Sequence, residues 1–77
     1  MKIDKKRLER AESIVSERLR NARLKSGFSQ EGLAGAAGID RKTVNRIENG
    51  HFSPSMDTLV RLCAVMNIKV SAVTKGI

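Results

Sequence analysis

Tryptophan and tyrosine are absent from these 77 residues, and the only aromatic side chains are Phe28 and Phe52. With so few rings there is no stacking platform for unpaired bases, which disfavours RNA as a partner. Cys63 is the only cysteine, so no internal disulfide can form and a reducing compartment is the default. His51 is the only histidine, and one Cys with one His cannot build a structural zinc site, so no metal and no cofactor are expected. No apolar run approaches the roughly 20 residues that span a bilayer, and no signal peptide or lipidation motif is visible. A cytoplasmic, nucleoid-associated protein without a membrane partner is the expectation. The length allows one small domain with a thin core, and no nucleophile, base and orienter come together in the pattern. No catalytic residue is therefore assigned, and an enzyme is not expected.

Positive charge, by contrast, is plentiful: 15 Lys and Arg against 8 Asp and Glu leave a formal charge of +7. Such a balance favours polyanions through counterion release. With RNA and membranes disfavoured, duplex DNA remains.

The most informative stretch runs from Ser29 to Gly50. Ser29 and Asp40 each stand one residue ahead of a helical apolar pattern, where a side-chain oxygen can cap free backbone N–H groups. Gly38 falls between the two patterns, where a sharp reversal needs a residue at ease with positive φ, and Gly50 supplies the second stop. Leu33, Ala34 and Ala37 share one face of the earlier helix, and Val44 and Ile47 one face of the later. A small side chain at Ala34 lets the two helices cross closely. Outward on the later helix stand Arg41, Lys42, Thr43, Asn45 and Arg46, a cationic set rich in donors. Arg41 and Lys42 lie in the first turn, where positive charge opposes the helix dipole, so helix stability does not explain them. A nucleic-acid partner does.

Elsewhere the chain is less explicit. Residues 1–13 form a basic extension holding Lys2, Lys5, Lys6, Arg7 and Arg10. Leu8, Ala11, Val15, Leu19 and Ala22 make a thin apolar stripe, with Asp4 as a cap, so one reading continues the first helix from about Lys5 to Ser26. The other reading is a mobile basic arm. A fourth helix is expected from Met56 to about Met66, capped by Ser55, with Leu59, Val60, Leu62, Cys63 and Met66 facing inward. Cys63 reads as a small buried hydrophobe. In residues 68–77, Ile68, Val70 and Ala72 alternate with Lys69, Ser71 and Val73 at the period of a strand. A lone strand would satisfy its open edge by pairing with its twin, giving a homodimer through Ile68, Val70, Ala72 and Val73. A short fifth helix is the competing ending.

Gln30, Leu33-Ala34, Gly38-Ile39, Val44, Ile47-Glu48-Asn49-Gly50 and Pro54-Ser55 together resemble the Xre/Cro-type helix-turn-helix regulators, which include the phage repressors. The resemblance covers roughly Ile14 to Ile68. It implies an all-α, compact domain of four to five helices over 14–67, here with a short strand-like or helical dimerisation tail. It further implies a sequence-specific regulator that lays a recognition helix, about residues 41–49, in the major groove of a two-fold operator. Arg41, Lys42 and Arg46 match base-reading positions, where arginine can pair bidentately with guanine; Thr43 and Asn45 join them as base contacts. Gln30 matches a phosphate-clamping position, with Ser29, Arg20, Asn49 and His51 as further phosphate candidates. Arg23 and Glu48 match an internal salt bridge. Gly32 and Gly35 depart from the family, where Glu or Ala is commoner. Some antitoxins of this family end in a dimer-forming strand, so an antitoxin-like module holding a toxin-like protein partner is the alternative function.

Overall fold

The computed structural model describes residues 2–77, so Met1 of the basic extension lies outside the described residues. Four helices start where a short polar side chain accepts a backbone N–H. Asp4 takes Lys6 at 3.0 Å and opens α1 (Lys5–Lys25); Ser29 takes Gly32 at 2.9 Å and opens α2 (Gln30–Ala37). Asp40 opens α3 (Arg41–Glu48), and Ser55 takes Thr58 at 3.1 Å to open α4 (Met56–Val65). Each cap satisfies a donor that the helix itself cannot.

The ends are equally definite. Gly38 sits at φ +71°, and the following Ile39 N–H returns to the Ala34 carbonyl at 2.9 Å, turning the chain from α2 into α3. The same closure stops α4, but with Asn67 at φ 56°, the one non-glycine residue at positive φ among those described. Ile68 N–H then bonds Cys63 carbonyl at 3.0 Å. Asparagine tolerates that conformation better than most side chains.

The core gathers Leu19 from α1, Leu33, Ala34 and Ala37 from α2, Val44 and Ile47 from α3, and Leu59, Leu62 and Cys63 from α4 with Met66. Burial pushes the Cys63 thiol up from its ordinary value, as expected for a thiolate denied water. Val60, expected inside, is 48% exposed. It lies on the outer face of α4, one helical turn after Met56, and the core already closes on its neighbours Leu59 and Leu62.

The tail is not a strand. Val70 has α-region dihedrals and α5 (Ser71–Thr74) follows, held by Ala72 N–H on Lys69 carbonyl and Val73 N–H on Val70 carbonyl. No strand occurs among the described residues. Ile68, Val70, Ala72 and Val73 consequently share no edge: Val73 is 1% exposed in the core, Ile68 and Val70 pack partly against it, and Ala72 faces solvent. The β-branched run serves packing of α5 against α1, and that tertiary demand overrides strand propensity. Arg18 adds a bond from α1 to the Lys75 carbonyl at 2.6 Å.

In the structure the basic extension from Lys5 onward is part of α1, which runs without a break to Lys25. Its N-terminal end has little to lean on: Leu8 is 46% and Ile3 66% exposed. The molecule measures 40 × 22 × 19 Å, the long dimension exceeding the roughly 31 Å of a 21-residue helix.

Candidate nucleic-acid interface

Val44 and Ile47 pin α3 against the core, each 1% exposed. Of the rest of the helix, Arg41, Lys42 and Arg46 are exposed, Thr43 and Asn45 are half-buried at the edge, and the Glu48 side chain turns inward. Three cations therefore lie along one short helix with no acidic side chain bonded to any of them among the described residues.

A chain of hydrogen bonds sets how this helix is held. Arg23 donates from Nε to Glu48 Oε2 at 2.7 Å and from Nη2 to Oε1 at 2.9 Å, and from Nη1 to the Phe28 carbonyl at 2.9 Å. The two side chains are 10% and 4% exposed. The hydrogen bond to Glu48 raises the already high pKa of Arg23, against the opposing effect of burial. Glu48 Oε1 also accepts Gln30 Nε2 at 3.1 Å, Gln30 Oε1 accepts Asn45 Nδ2 at 3.2 Å, and Asn45 Oδ1 accepts Asn49 Nδ2 at 3.1 Å.

An ionised carboxylate only accepts, so Glu48 forces the Gln30 amide to present its NH₂. That choice leaves the Gln30 oxygen for Asn45, and the Asn45 oxygen for Asn49. One charge thus orients three amides in sequence. Each amide nitrogen keeps one N–H outside the relay, available to an acceptor such as a phosphate oxygen. The relay joins Gln30 and Asn49, read as phosphate contacts, to Asn45, read as a base contact.

The remaining phosphate candidates stand outside this relay. Ser29 is committed to its cap, and His51 is exposed in the turn after α3. Arg20 borders a groove of about 520 Å³ between α1 and the end of α3, shared with Glu17, Asn21 and Asn49.

Two contacts have no counterpart in the sequence pattern. The Arg46 guanidinium lies 5.6 Å from the centre of the Phe52 ring. Arg61 of α4 donates to the Ala37 carbonyl at the end of α2, 3.4 Å away, and pairs with Asp57 at 2.6 Å. Both join residues across turns, where no periodicity signals them; Asp57 and Arg61, four apart, carry the only hint.

Residues 19–73 match the model of the helix-turn-helix family. The chain belongs to the Xre/Cro-type helix-turn-helix family. Among its helix-turn-helix relatives is the uncharacterized HTH-type transcriptional regulator YgzD of Bacillus subtilis, 30% identical over 59 residues, which are 77% of this chain and 89% of that one. The SPbeta prophage-derived HTH-type transcriptional regulator YonR of the same organism is 32% identical over 63 residues, 82% of this chain and 58% of that one. Of solved helix-turn-helix structures, the restriction-modification controller protein C.AhdI from Aeromonas hydrophila is similar at 31% identity. It superposes with a TM-score of 0.78, covering 80% of this chain and 94% of that one. The matched segment contains α2, α3 and α4 with the turns between them, so the family likeness rests on the same elements that carry the cationic face.

Proposed function

We infer that this DNA-binding transcription regulator acts as a homodimer on a two-fold operator, with α3 of each copy in the major groove and half-sites about 34 Å apart. The observation that carries the reading is the outward face of α3. Three cations without a carboxylate partner among the described residues stand on a helix whose opposite face is buried and whose last turn is clamped by Arg23 and Glu48. Arg41, Lys42 and Arg46 read bases, with guanine opposite Arg41 or Arg46; Thr43 and Asn45 contribute at the groove edge. Gln30 and Asn49 offer their remaining amide hydrogens to phosphates, assisted by Ser29, Arg20 and His51. Regulation follows from occupancy of a promoter, and the cell compartment is the cytoplasm. The likeness to HTH-type transcriptional regulators and to a restriction-modification controller protein supports a role in transcription control. No helix among the described residues is long and apolar enough to cross a membrane, which is compatible with that place.

A second reading keeps a protein partner, as in antitoxins. A dimer-forming strand does not support it, since the tail is helical, but Ile3, Leu8 and Ile77 border one exposed groove at the end of α1. Apolar side chains gathered at a surface suit a protein contact.

Selection from a randomised duplex library by the purified protein, followed by sequencing, tests the first reading. An enriched two-fold motif is expected. With roughly six to ten phosphate contacts per dimer, affinity for that motif should fall about 10³- to 10⁵-fold between 50 and 200 mM salt. Sequence-blind binding by the protein alone would favour the partner-dependent reading instead.

A further inference from the structure

Phe52 is one of two aromatic residues in the chain, is 43% exposed, and has no part in the interface as the sequence pattern defines it. It sits in the turn between α3 and α4, on a wall shared with Ala11 and Val15 of α1 and Leu59 of α4. The next residue, Ser53, donates its hydroxyl to the Glu12 carboxylate on α1. The ring thus borders an apolar recess, and the Arg46 guanidinium lies over it, 5.6 Å from its centre. Arg46 is otherwise exposed, without a carboxylate partner among the described residues.

We propose that Phe52 is a positioning residue for DNA readout: its ring, carried on a turn that Ser53 ties to Glu12 of α1, holds the Arg46 guanidinium ready to meet a base edge. The idea rests on the reading of α3 as the base-reading helix. A free arginine side chain samples many rotamers, and fixing it in one binding geometry costs conformational entropy each time the complex forms. A ring face attracts the cation without using its N–H donors, so the fork that recognises guanine stays available. A carboxylate in the same place would occupy those donors. Phe52 thus offers orientation without competition. The Glu12–Ser53 contact lies where the basic extension meets the rest of α1, and through it that part of the helix holds the turn that carries the ring.

The attraction available at an exposed cation and ring corresponds to about a two- to fivefold effect. Phe52→Leu keeps an apolar side chain at the position and removes the ring face; Phe52→Trp restores a face. In the free protein, the Arg46 side-chain protons should show ring-current shifts by NMR that vanish in Phe52→Leu and return in Phe52→Trp. On duplexes carrying the selected motif and single-base variants of it, Phe52→Leu should lose about two- to fivefold in discrimination at the base pair lost in Arg46→Ala. Its thermal midpoint and its affinity for unrelated duplex should stay as in the parent, and Phe52→Trp should recover the discrimination. In the Arg46→Ala background the ring should make no difference.

Absent ring-current shifts, unchanged discrimination in Phe52→Leu, sharper discrimination, or no rescue by Phe52→Trp would each overturn the proposal while leaving the operator reading intact. If the parent protein itself selects no motif, the operator reading fails, and this inference falls with it even where the ring-current shifts are present. The two failures are read from different samples.

Discussion

The second and third helices have the same length and the same punctuation, yet they are held in place by different physics. Each has eight residues, starts at a capping side chain and ends before a glycine at positive φ. Neither would survive alone in water, since isolated helices this short are marginal even with good formers. α2 is built of small residues, two of them glycine, and lies between α3 and α4. Its position comes from close packing of Leu33, Ala34 and Ala37 and from Arg61 on its last carbonyl. α3 is built of long polar residues around only two buried ones, Val44 and Ile47, and its position comes from these together with a buried ion pair and the amide relay. Packing along most of its length fixes α2; two buried side chains, reinforced by polar bonding at one edge, fix the helix that must keep its outer face unoccupied.

The most severe way to break this contrast is to remove the clamp on α3. Arg23→Ala strands the Glu48 carboxylate at a site 4% exposed to water, and losing one member of such a pair costs about 3 to 5 kcal/mol. Domains of this kind hold only about 5 to 15 kcal/mol in all, so urea or thermal unfolding should show a much weakened protein. An unchanged midpoint would refute the clamp. Replacing both partners, Arg23→Met with Glu48→Leu, sharpens the comparison. Stability should largely recover, because well-packed apolar pairs substitute for buried ion pairs. Affinity for DNA should not recover, because Gln30 would have lost the charged acceptor that orients it and, through it, Asn45 and Asn49.

The outer face is broken without touching the fold. Arg41→Ala removes an exposed cation, so the unfolding midpoint should hold within experimental error. If Arg41 meets a guanine, affinity for the selected motif should fall about 5- to 150-fold, the equivalent of one good bidentate contact. The corresponding loss on unrelated duplex should be far smaller. Equal losses on both would reassign Arg41 from reading bases to holding phosphates.

What is legible in the sequence follows the same division. Caps and stops are local chemistry, and Asp4, Ser29, Asp40, Ser55 and Gly38 announce themselves because their neighbours in space are their neighbours in sequence. The buried sides of α2 and α3 follow from helical spacing. The tail misleads because four residues of α5 are too few to display a 3.6-residue period, and Val70 provides no capping side chain to mark a start. Alternation of Ile68, Val70 and Ala72 then imitates a strand, although Val73, on the other set, is the residue the core takes in. The amide relay is invisible for another reason: Gln30 and Asn45 are fifteen residues apart, and each looks like any exposed polar side chain until Glu48 is placed between helices. Resemblance supplies the Arg23–Glu48 pair; neither pattern nor composition would.

The smallest expected effects lie in the two glycines that set α2 apart. Glycine inside a helix costs about 1 kcal/mol relative to alanine. A Cβ on Gly35 would have no heavy atom within 4 Å, whereas one on Gly32 would come within 3.1 Å of the Ser29 hydroxyl oxygen that caps the helix. Gly35→Ala should therefore stabilise by about 1 kcal/mol, raising the thermal midpoint by roughly 4 to 8 °C for a domain of this size. Gly32→Ala should gain less, because the new methyl group crowds an oxygen whose 2.9 Å bond to the same residue's N–H starts the helix. If both variants gain equally, the cap adapts and the crowding at Ser29 is harmless. Binding separates a further possibility: α2 opens with Gln30, the proposed phosphate contact, so a Gly32→Ala protein that gains stability but loses DNA affinity would mean that the duplex backbone approaches α2 at its first turn. Retained affinity in Gly35→Ala beside lost affinity in Gly32→Ala would confine that approach to the end of α2 where the relay begins.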